Sequence, residues 1–327
     1  MSRDVYKNFF TIVISLFLGL LSVWLLSKNN DGIQFNLIFT LFNFDVILIV
    51  ILLKMIAMML ISYRWVKILQ YNNLYQSFLD SFKFVLVGHS LSIIIPGIVS
   101  QDIVKVAGTI HTSKSSGNKM AIVSLAILDR LFGLISLFIV TIIFTTIYIS
   151  LESINLYSNL LDKLMVSALF FSIFCISILI VTYFVLKKIQ KIQFSSKKIS
   201  NFYSKMLKII DHFHEIRNKE KLLCISMFSH IVNSIILVVI VKEFYSEIEI
   251  IVNVIFCLIS NLGNLFPFTP SGLGVTESIF VYLYSLIGYE NGVTIGVSFR
   301  LLSYTSFLVL TTAVVLTSYL WKYKQKK

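Results

Sequence analysis

Long apolar runs, each ended by charged or Gly/Pro-containing residues, organise this chain. Runs at 9–26, 44–62, 120–149, 164–186, 222–241 and 293–320 approach or exceed the roughly 20 mainly apolar residues that a helix needs to cross a bilayer. They predict six full membrane spans. Two further stretches are apolar but interrupted. One, 78–108, is broken by Gly88, Pro96 and Gly97; the other, 251–289, by Gly263, Pro267, Pro270, Gly272 and Gly274. Freed backbone groups find no water in hydrocarbon, so such breaks are tolerated where protein covers them or where they line a cavity. The two stretches therefore predict broken helical hairpins, and the fold class is an all-α polytopic membrane protein.

The bases between the runs set an orientation. Segment 187–221 holds ten Lys and Arg residues and is expected on the cytoplasmic side. If the spans alternate, Arg3, Lys7, Arg64, Lys67, Lys105, Lys114, Lys119 and the C-terminal lysines share that side. Asp31, Asp45, Glu152, Asp162, Glu243, Glu247, Glu249 and Glu290 then face the other way. Both termini are predicted inside. Bases bound 63–119 at both ends and acids bound 242–292 at both ends. The hairpins are thus expected to be re-entrant, dipping in from opposite faces.

A weak repeat runs through this pattern, over about 44–149 and about 222–320. Each unit reads as a span, a broken hairpin with a proline six or seven residues before an acid, and a span carrying an arginine. Pro96, Asp102 and Arg130 mark the first; Pro270, Glu277 and Arg300 mark the second. The bases and acids give the units opposite orientation, an inverted repeat of the kind that brackets transporter binding sites. Between them, Ile199, Phe202, Tyr203, Met206, Ile209, Ile210, Phe213 and Ile216 recur at helical spacing among lysines. That pattern fits a helix lying on the inner leaflet, or a plain basic connector.

Composition narrows the class. Of 327 residues, 57% are hydrophobic and 13% charged, against about 45–50% and 25% in a soluble domain. A single membrane domain over 1–327 is expected, with no large soluble module. The first run is too long for a secretory signal core and lacks a small-residue cleavage site after it, so it is expected to stay as a span. Heavy use of isoleucine, asparagine and lysine fits a prokaryotic genome, hence a plasma membrane. Cys175, Cys224 and Cys257 show no disulfide or zinc spacing, and His212 with His214 reads as a solvated face. Gly272-x-Gly274 lacks the third glycine and lysine of a nucleotide site. No catalytic set, metal, cofactor or nucleic-acid partner is indicated.

Charge at membrane depth is the sharpest chemical signal, because a lone charge at the bilayer centre costs about 2.5–3.5 kcal/mol by the lower scales. Asp102, Asp129, Arg130, Glu277 and Arg300 lie there; Lys54 does too, with a stem long enough to snorkel. Asp102 and Glu277 are expected to pair with Arg130 and Arg300 across the interface between the units. Arginine binds phosphate with a planar fork and stays charged. Half-helix N-termini at the breaks, as in Pro270-Ser271-Gly272-Leu273-Gly274, offer further N–H donors to an anion. Asn261 and Asn264 precede the second break and line a cavity or join helices. His89, beside the first break, reads as a core histidine.

Three motifs resemble the lysylphosphatidylglycerol synthase transmembrane region, a flippase-like family. They are Pro96-Gly97-Ile98-Val99-Ser100-Gln101-Asp102-Ile103-Val104-Lys105, Asp129-Arg130 with Gly133-Leu134, and Pro270-Ser271-Gly272-Leu273-Gly274-Val275-Thr276-Glu277. Ser100-Gln101 stand where the family has two glycines, Lys105 where it has arginine, and Ser271 where it has glycine. The resemblance implies translocation of a lipid between leaflets, with membrane lipid as the partner. In fused relatives, lipid aminoacylation belongs to a soluble C-terminal domain; this chain ends soon after its last run and is not expected to perform it. The expected substrate is a phospholipid, glycolipid or polyprenyl-phosphate carrier. Two other readings stay open: a membrane-embedded lipid-phosphate transferase, and a non-transporting partner of a lipid-modifying enzyme or glycosyltransferase.

Overall fold

The computed structural model describes residues 3–29, 33–41, 43–95, 99–112, 119–151, 159–189, 207–265 and 269–324. Among these the chain is all helical. Helix α1 (Arg3–Asn29) and the short α2 (Phe35–Thr40) precede α3 (Phe44–Tyr71). A pair follows, α4 (Phe78–Leu91) and α5 (Val99–Thr112), then α6 (Lys119–Leu151) and α7 (Asn159–Ile189). Helix α8, at 207–215, leads into α9 (Lys219–Phe244). Helix α10 (Ile250–Ser260) runs into a 3₁₀ turn at Asn261–Leu265, and a second 3₁₀ turn at Pro270–Gly272 precedes α11 (Val275–Ser285). Helix α12 (Gly292–Lys324) closes the bundle.

Five helices, α3, α6, α7, α9 and α12, are long and apolar enough to cross a membrane. They carry five of the expected spans. The remaining one, 9–26, lies on α1, whose described apolar part, Val13–Lys28, is shorter. Phe170, Phe174, Val181 and Phe184 on α7, and Leu308, Leu316 and Leu320 on α12, are exposed. That much outward aromatic and aliphatic surface suits lipid rather than water. Only 11% of the apolar window of α7 is buried against 44% for α9, so α7 lies at the rim and α9 at the centre.

The interrupted stretches form two pairs of short helices. Helices α4 and α5 have 14 residues each, about 21 Å at 1.5 Å per residue, too short to cross a hydrocarbon core of about 30 Å. They lie antiparallel: a methyl on Gly88 would sit 2.7 Å from the Gln101 carbonyl oxygen, and Phe84 covers Gly108. Glycine at 88 is what lets the backbones meet. Ser77 starts α4 by accepting the Asp80 N–H at 3.0 Å, an N-cap. Pro96 and Gly97 lie outside the described residues. Helices α10 and α11, with 11 residues each, pack on each other and on the intervening turn. Pro267 also lies outside the described residues.

Packing repeats between the two halves. Helix α3 packs on α4 and α6, and α9 packs on α10 and α12. Likewise α5 contacts α6 as α11 contacts α12, α4 contacts α12 as α10 contacts α6, and α6 contacts α9 as α12 contacts α3. Helices α3 and α9 meet each other along the centre. Small hydroxyl residues allow these approaches: Ser81 on α4 donates to the Ser62 carbonyl on α3 at 3.2 Å.

Two apolar clusters bracket the middle. One joins Val46 and Val50 of α3 to Ile236, Ile240, Phe256, Phe280 and Ile295. The other joins Trp65, Ile68 and Leu69 of α3 to Leu125, Phe132 and Leu222. Between them, α3 and α9 present polar side chains.

Two expectations are corrected. Helix α3 continues past 62, so Arg64 is not a loop base; it is 6% exposed inside the bundle, and Lys105 is 5% exposed. The apolar face of the described part of 187–221 turns into the protein: Ile209 and Ile216 join the Trp65 cluster and Phe213 packs against it. This part therefore does not lay that face on lipid. Ile199, Phe202, Tyr203 and Met206 lie outside the described residues.

Candidate functional site

A cavity of about 470 Å³ opens where α3, α4, α5, α6, α9 and α12 meet the 3₁₀ turns. Its walls include Lys54, Ala57, Met58, Ile61 and Arg64, successive turns of one face of α3. The apolar steps of that stripe match a buried helix; the charges at its two ends do not, and they face a polar interior.

On one wall the charges form an alternating chain. Arg64 donates to Asp129 at 2.6 Å and, through its other end, to the Ser226 hydroxyl at 2.6 Å. Lys105 reaches the second Asp129 oxygen at 2.7 Å and Asp102 at 3.0 Å. Asp102 accepts in turn from Arg130. Helices α3, α5 and α6 are thereby tied by five charges in the order Arg64, Asp129, Lys105, Asp102, Arg130. Each of these five charges has an opposite neighbour, which offsets its desolvation. Asp102 also lies in the first turn of α5, where the helix dipole favours an anion. The Lys105 ammonium lies 4.5 Å from the Trp65 ring centroid, a cation–π contact.

The second unit is built differently. Ser271 (φ 47), Gly272 (φ 70) and Gly274 (φ 87) have left-handed backbone, which glycine adopts freely and serine seldom does. The turn leaves carbonyls without helical partners, and Arg300 collects them. Its Nη1 donates to the Ser271 carbonyl at 2.9 Å and to the Tyr304 hydroxyl at 2.8 Å. Its Nη2 donates to the Gly272 carbonyl at 3.2 Å and to Glu277 at 3.1 Å, and its Nε donates to Glu277 as well. A guanidinium has five N–H donors, and these contacts use all of them. Glu277 also accepts the Gly274 N–H at 2.7 Å, capping α11 from its third residue.

The expected pairing across the units is therefore corrected. Asp102 pairs with Arg130, and Glu277 with Arg300, each within its own unit. At the start of α11 the Gly274 N–H is already taken by Glu277. Asp102, Lys105, Asp129, Arg130, Asn261, Asn264, Ser271 and Arg300 line the cavity. Pro270, Gly272 and Glu277 stand buried behind it, and Gly274 shapes the turn. Asn264 donates to Asn261 at 3.3 Å, and Asn261 contacts the Cys257 sulfur at 3.9 Å. Arg130 is the more exposed arginine, its side chain 30% accessible against 9% for Arg300.

The two breaks touch. Ser271 donates to the Ser92 carbonyl at 3.0 Å and lies 3.1 Å from its hydroxyl; Gln101 donates to that hydroxyl at 3.3 Å. His89 lines the cavity and stacks on Phe307 at 5.1 Å. His230 meets the Gly133 carbonyl at 3.0 Å. Sequence reasoning missed Arg64, Ser92, His230 and Asn233. For Arg64 a signal existed: Trp65, Ile68 and Leu69 continue the apolar face one turn beyond it.

A family model described as the lysylphosphatidylglycerol synthase TM region matches residues 12–311. No curated protein matches the chain.

Proposed function

The chain belongs to the lysylphosphatidylglycerol synthase TM region family, and from that membership we propose that it moves a lipid with an anionic head group between membrane leaflets. One observation carries the reading: a cavity of about 470 Å³ lined by Lys54, Arg64, Lys105, Arg130 and Arg300 lies within an apolar helical bundle, where two broken helix pairs meet. Broken helices around a central site are a hallmark of alternating-access transporters. The matched contact pattern of the two halves supports an inverted repeat. In this reading α3 to α6 and α9 to α12 are its units, the pairs α4–α5 and α10–α11 enter from opposite faces, and both termini face the cytoplasm of a plasma membrane.

Head-group phosphate enters the cavity while acyl tails stay in the bilayer. Arg130 is the arginine that contacts phosphate, for it is accessible and shares Asp102 with Lys105. A phosphate that displaces Asp102 from Arg130 leaves Asp102 with Lys105, so no buried carboxylate is stranded. Arg300 shapes the site by holding the Ser271–Gly272 turn.

The test is translocation of a labelled phosphatidylglycerol in vesicles reconstituted with purified protein. Arg130→Ala should stop movement while the variant still purifies as a folded monodisperse species. Undiminished movement in that variant removes Arg130 from the pathway, and no movement by the wild-type chain removes the function.

A further inference from the structure

The cavity holds one more cation, outside the chain of ion pairs. Lys54 lies mid-way along α3, 5% exposed. Its stem does not snorkel out of the bundle. The ammonium donates to the Asn233 carboxamide oxygen at 2.6 Å and sits 5.4 Å and 5.2 Å from the ring centroids of Phe299 and Phe307. Among the described residues no carboxylate lies within ion-pairing distance of it. Ser303 lies one helical turn from each of those phenylalanines, on the same face of α12. Its buried hydroxyl has no hydrogen-bond partner among the described residues, and it lines the same cavity.

The charges do not balance. Lys54, Arg64, Lys105, Arg130 and Arg300 line the space, and Asp102, Asp129 and Glu277 answer them. Among the described residues two positive charges are left over, one of them Lys54. The neighbouring segments 96–98 and 266–268 contain no charged residue. Burying a cation without a counter-charge is costly. A net-negative ligand relieves that cost, and a net-positive one adds to it.

We infer that Lys54, with Ser303 lining the same cavity, sets charge selectivity there, favouring lipids whose head group is net negative over those made net positive by a lysyl ester. The inference rests on the lipid-moving reading and narrows its substrate class. Phosphatidylglycerol bears one negative phosphodiester. Esterification with lysine adds two ammonium groups and makes the head group net positive. The second kind of head group brings like charge to Lys54 inside a low-dielectric space, where repulsion is strong.

The experiment offers the full-length protein in nanodiscs an equal mixture of phosphatidylglycerol and lysyl-phosphatidylglycerol. Lipid retained through purification is then measured by mass spectrometry, alongside translocation of each lipid in vesicles. The wild-type chain should retain the net-negative lipid with roughly tenfold preference. Lys54→Met should bring the ratio near one, and Lys54→Arg should keep it. The wild-type preference is read without any variant. Equal retention by the wild type, or an unchanged preference in Lys54→Met, overturns the role of Lys54 and leaves lipid movement standing. Retention and movement of neither lipid by the wild type overturns both.

Discussion

Arg64 on α3 and Asp129 on α6, 65 positions apart in the chain, meet at 2.6 Å inside the bundle. Asp129 also holds Lys105 at 2.7 Å, so one carboxylate bridges two buried cations. Asp129→Asn leaves Arg64 and Lys105 facing each other with Asp102 as their nearest remaining acid. Stranding a buried charge costs about 3–5 kcal/mol. The variant is expected to show a clearly lowered melting temperature in detergent, and Asp129→Glu a smaller loss. A melting temperature equal to wild type in Asp129→Asn would mean the chain of charges does not hold α3, α5 and α6 together.

Arg300 makes a separate prediction. Lysine keeps the charge but offers no planar fork, so Arg300→Lys cannot serve Glu277 and the Ser271 and Gly272 carbonyls at once. The turn at 270–274 then loses charge-assisted hydrogen bonds of about 1.5–3 kcal/mol each. Limited proteolysis and thermal unfolding should both show a loosened protein, with stability falling before any specific loss of lipid binding. A stable Arg300→Lys protein that no longer binds lipid would instead make Arg300 a direct ligand.

Much of this architecture was legible in the sequence, because hydrocarbon imposes a simple rule on length and polarity. Apolar windows at 44–62, 120–149, 164–186, 222–241 and 293–320 fall on the five long helices, and the interrupted windows fall on the short pairs. What stayed hidden depends on tertiary structure. The apolar run at 44–62 stops short of Arg64, which reads as a flanking base, although Trp65, Ile68 and Leu69 are buried one turn further on. Lys54 read as a snorkelling side chain because nothing local shows that Asn233, Phe299 and Phe307 surround its ammonium. The Asp102–Arg130 pairing follows from folding α5 back onto α6, which no spacing rule encodes.

Close approach at Gly88 is a third test. A side chain there meets the Gln101 carbonyl oxygen at 2.7 Å and must push α5 away. Overpacking of this kind costs about 1–3 kcal/mol. Because Gln101 adjoins Asp102, the shift also disturbs the link to Arg130. Gly88→Val should lower both melting temperature and lipid movement, whereas Leu79→Val at a position of the same helix that is 75% exposed should do less. Equal effects at the two positions would remove the special role of the glycine.

Orientation has its own measurement. Exposed Asp211 on α8 and Ser246 after α9 lie at opposite ends of α9. In a background with Cys175, Cys224 and Cys257 replaced by serine, Asp211→Cys should react with an impermeant thiol reagent only in inside-out vesicles. Ser246→Cys should react only in right-side-out ones. The reverse result inverts the assigned direction, and labelling of both from one side refutes α9 as a crossing helix.

The last prediction concerns the point where the breaks join. Ser271 reaches the Ser92 hydroxyl at 3.1 Å, and both residues stand where one helix pair meets the other. If the pairs open from opposite faces in turn, this contact must part during the cycle, since a joined tip blocks passage of a head group between them. Cysteines at both positions, in the cysteine-free background, lie close enough for a disulfide after small side-chain adjustment. Oxidation should then arrest lipid movement in vesicles, and reduction should restore it. Neither single substitution should show redox sensitivity. Full transport by the cross-linked protein, with the disulfide verified by mass spectrometry, would mean that the tips stay joined. The lipid would then have to pass by another path along the cavity wall.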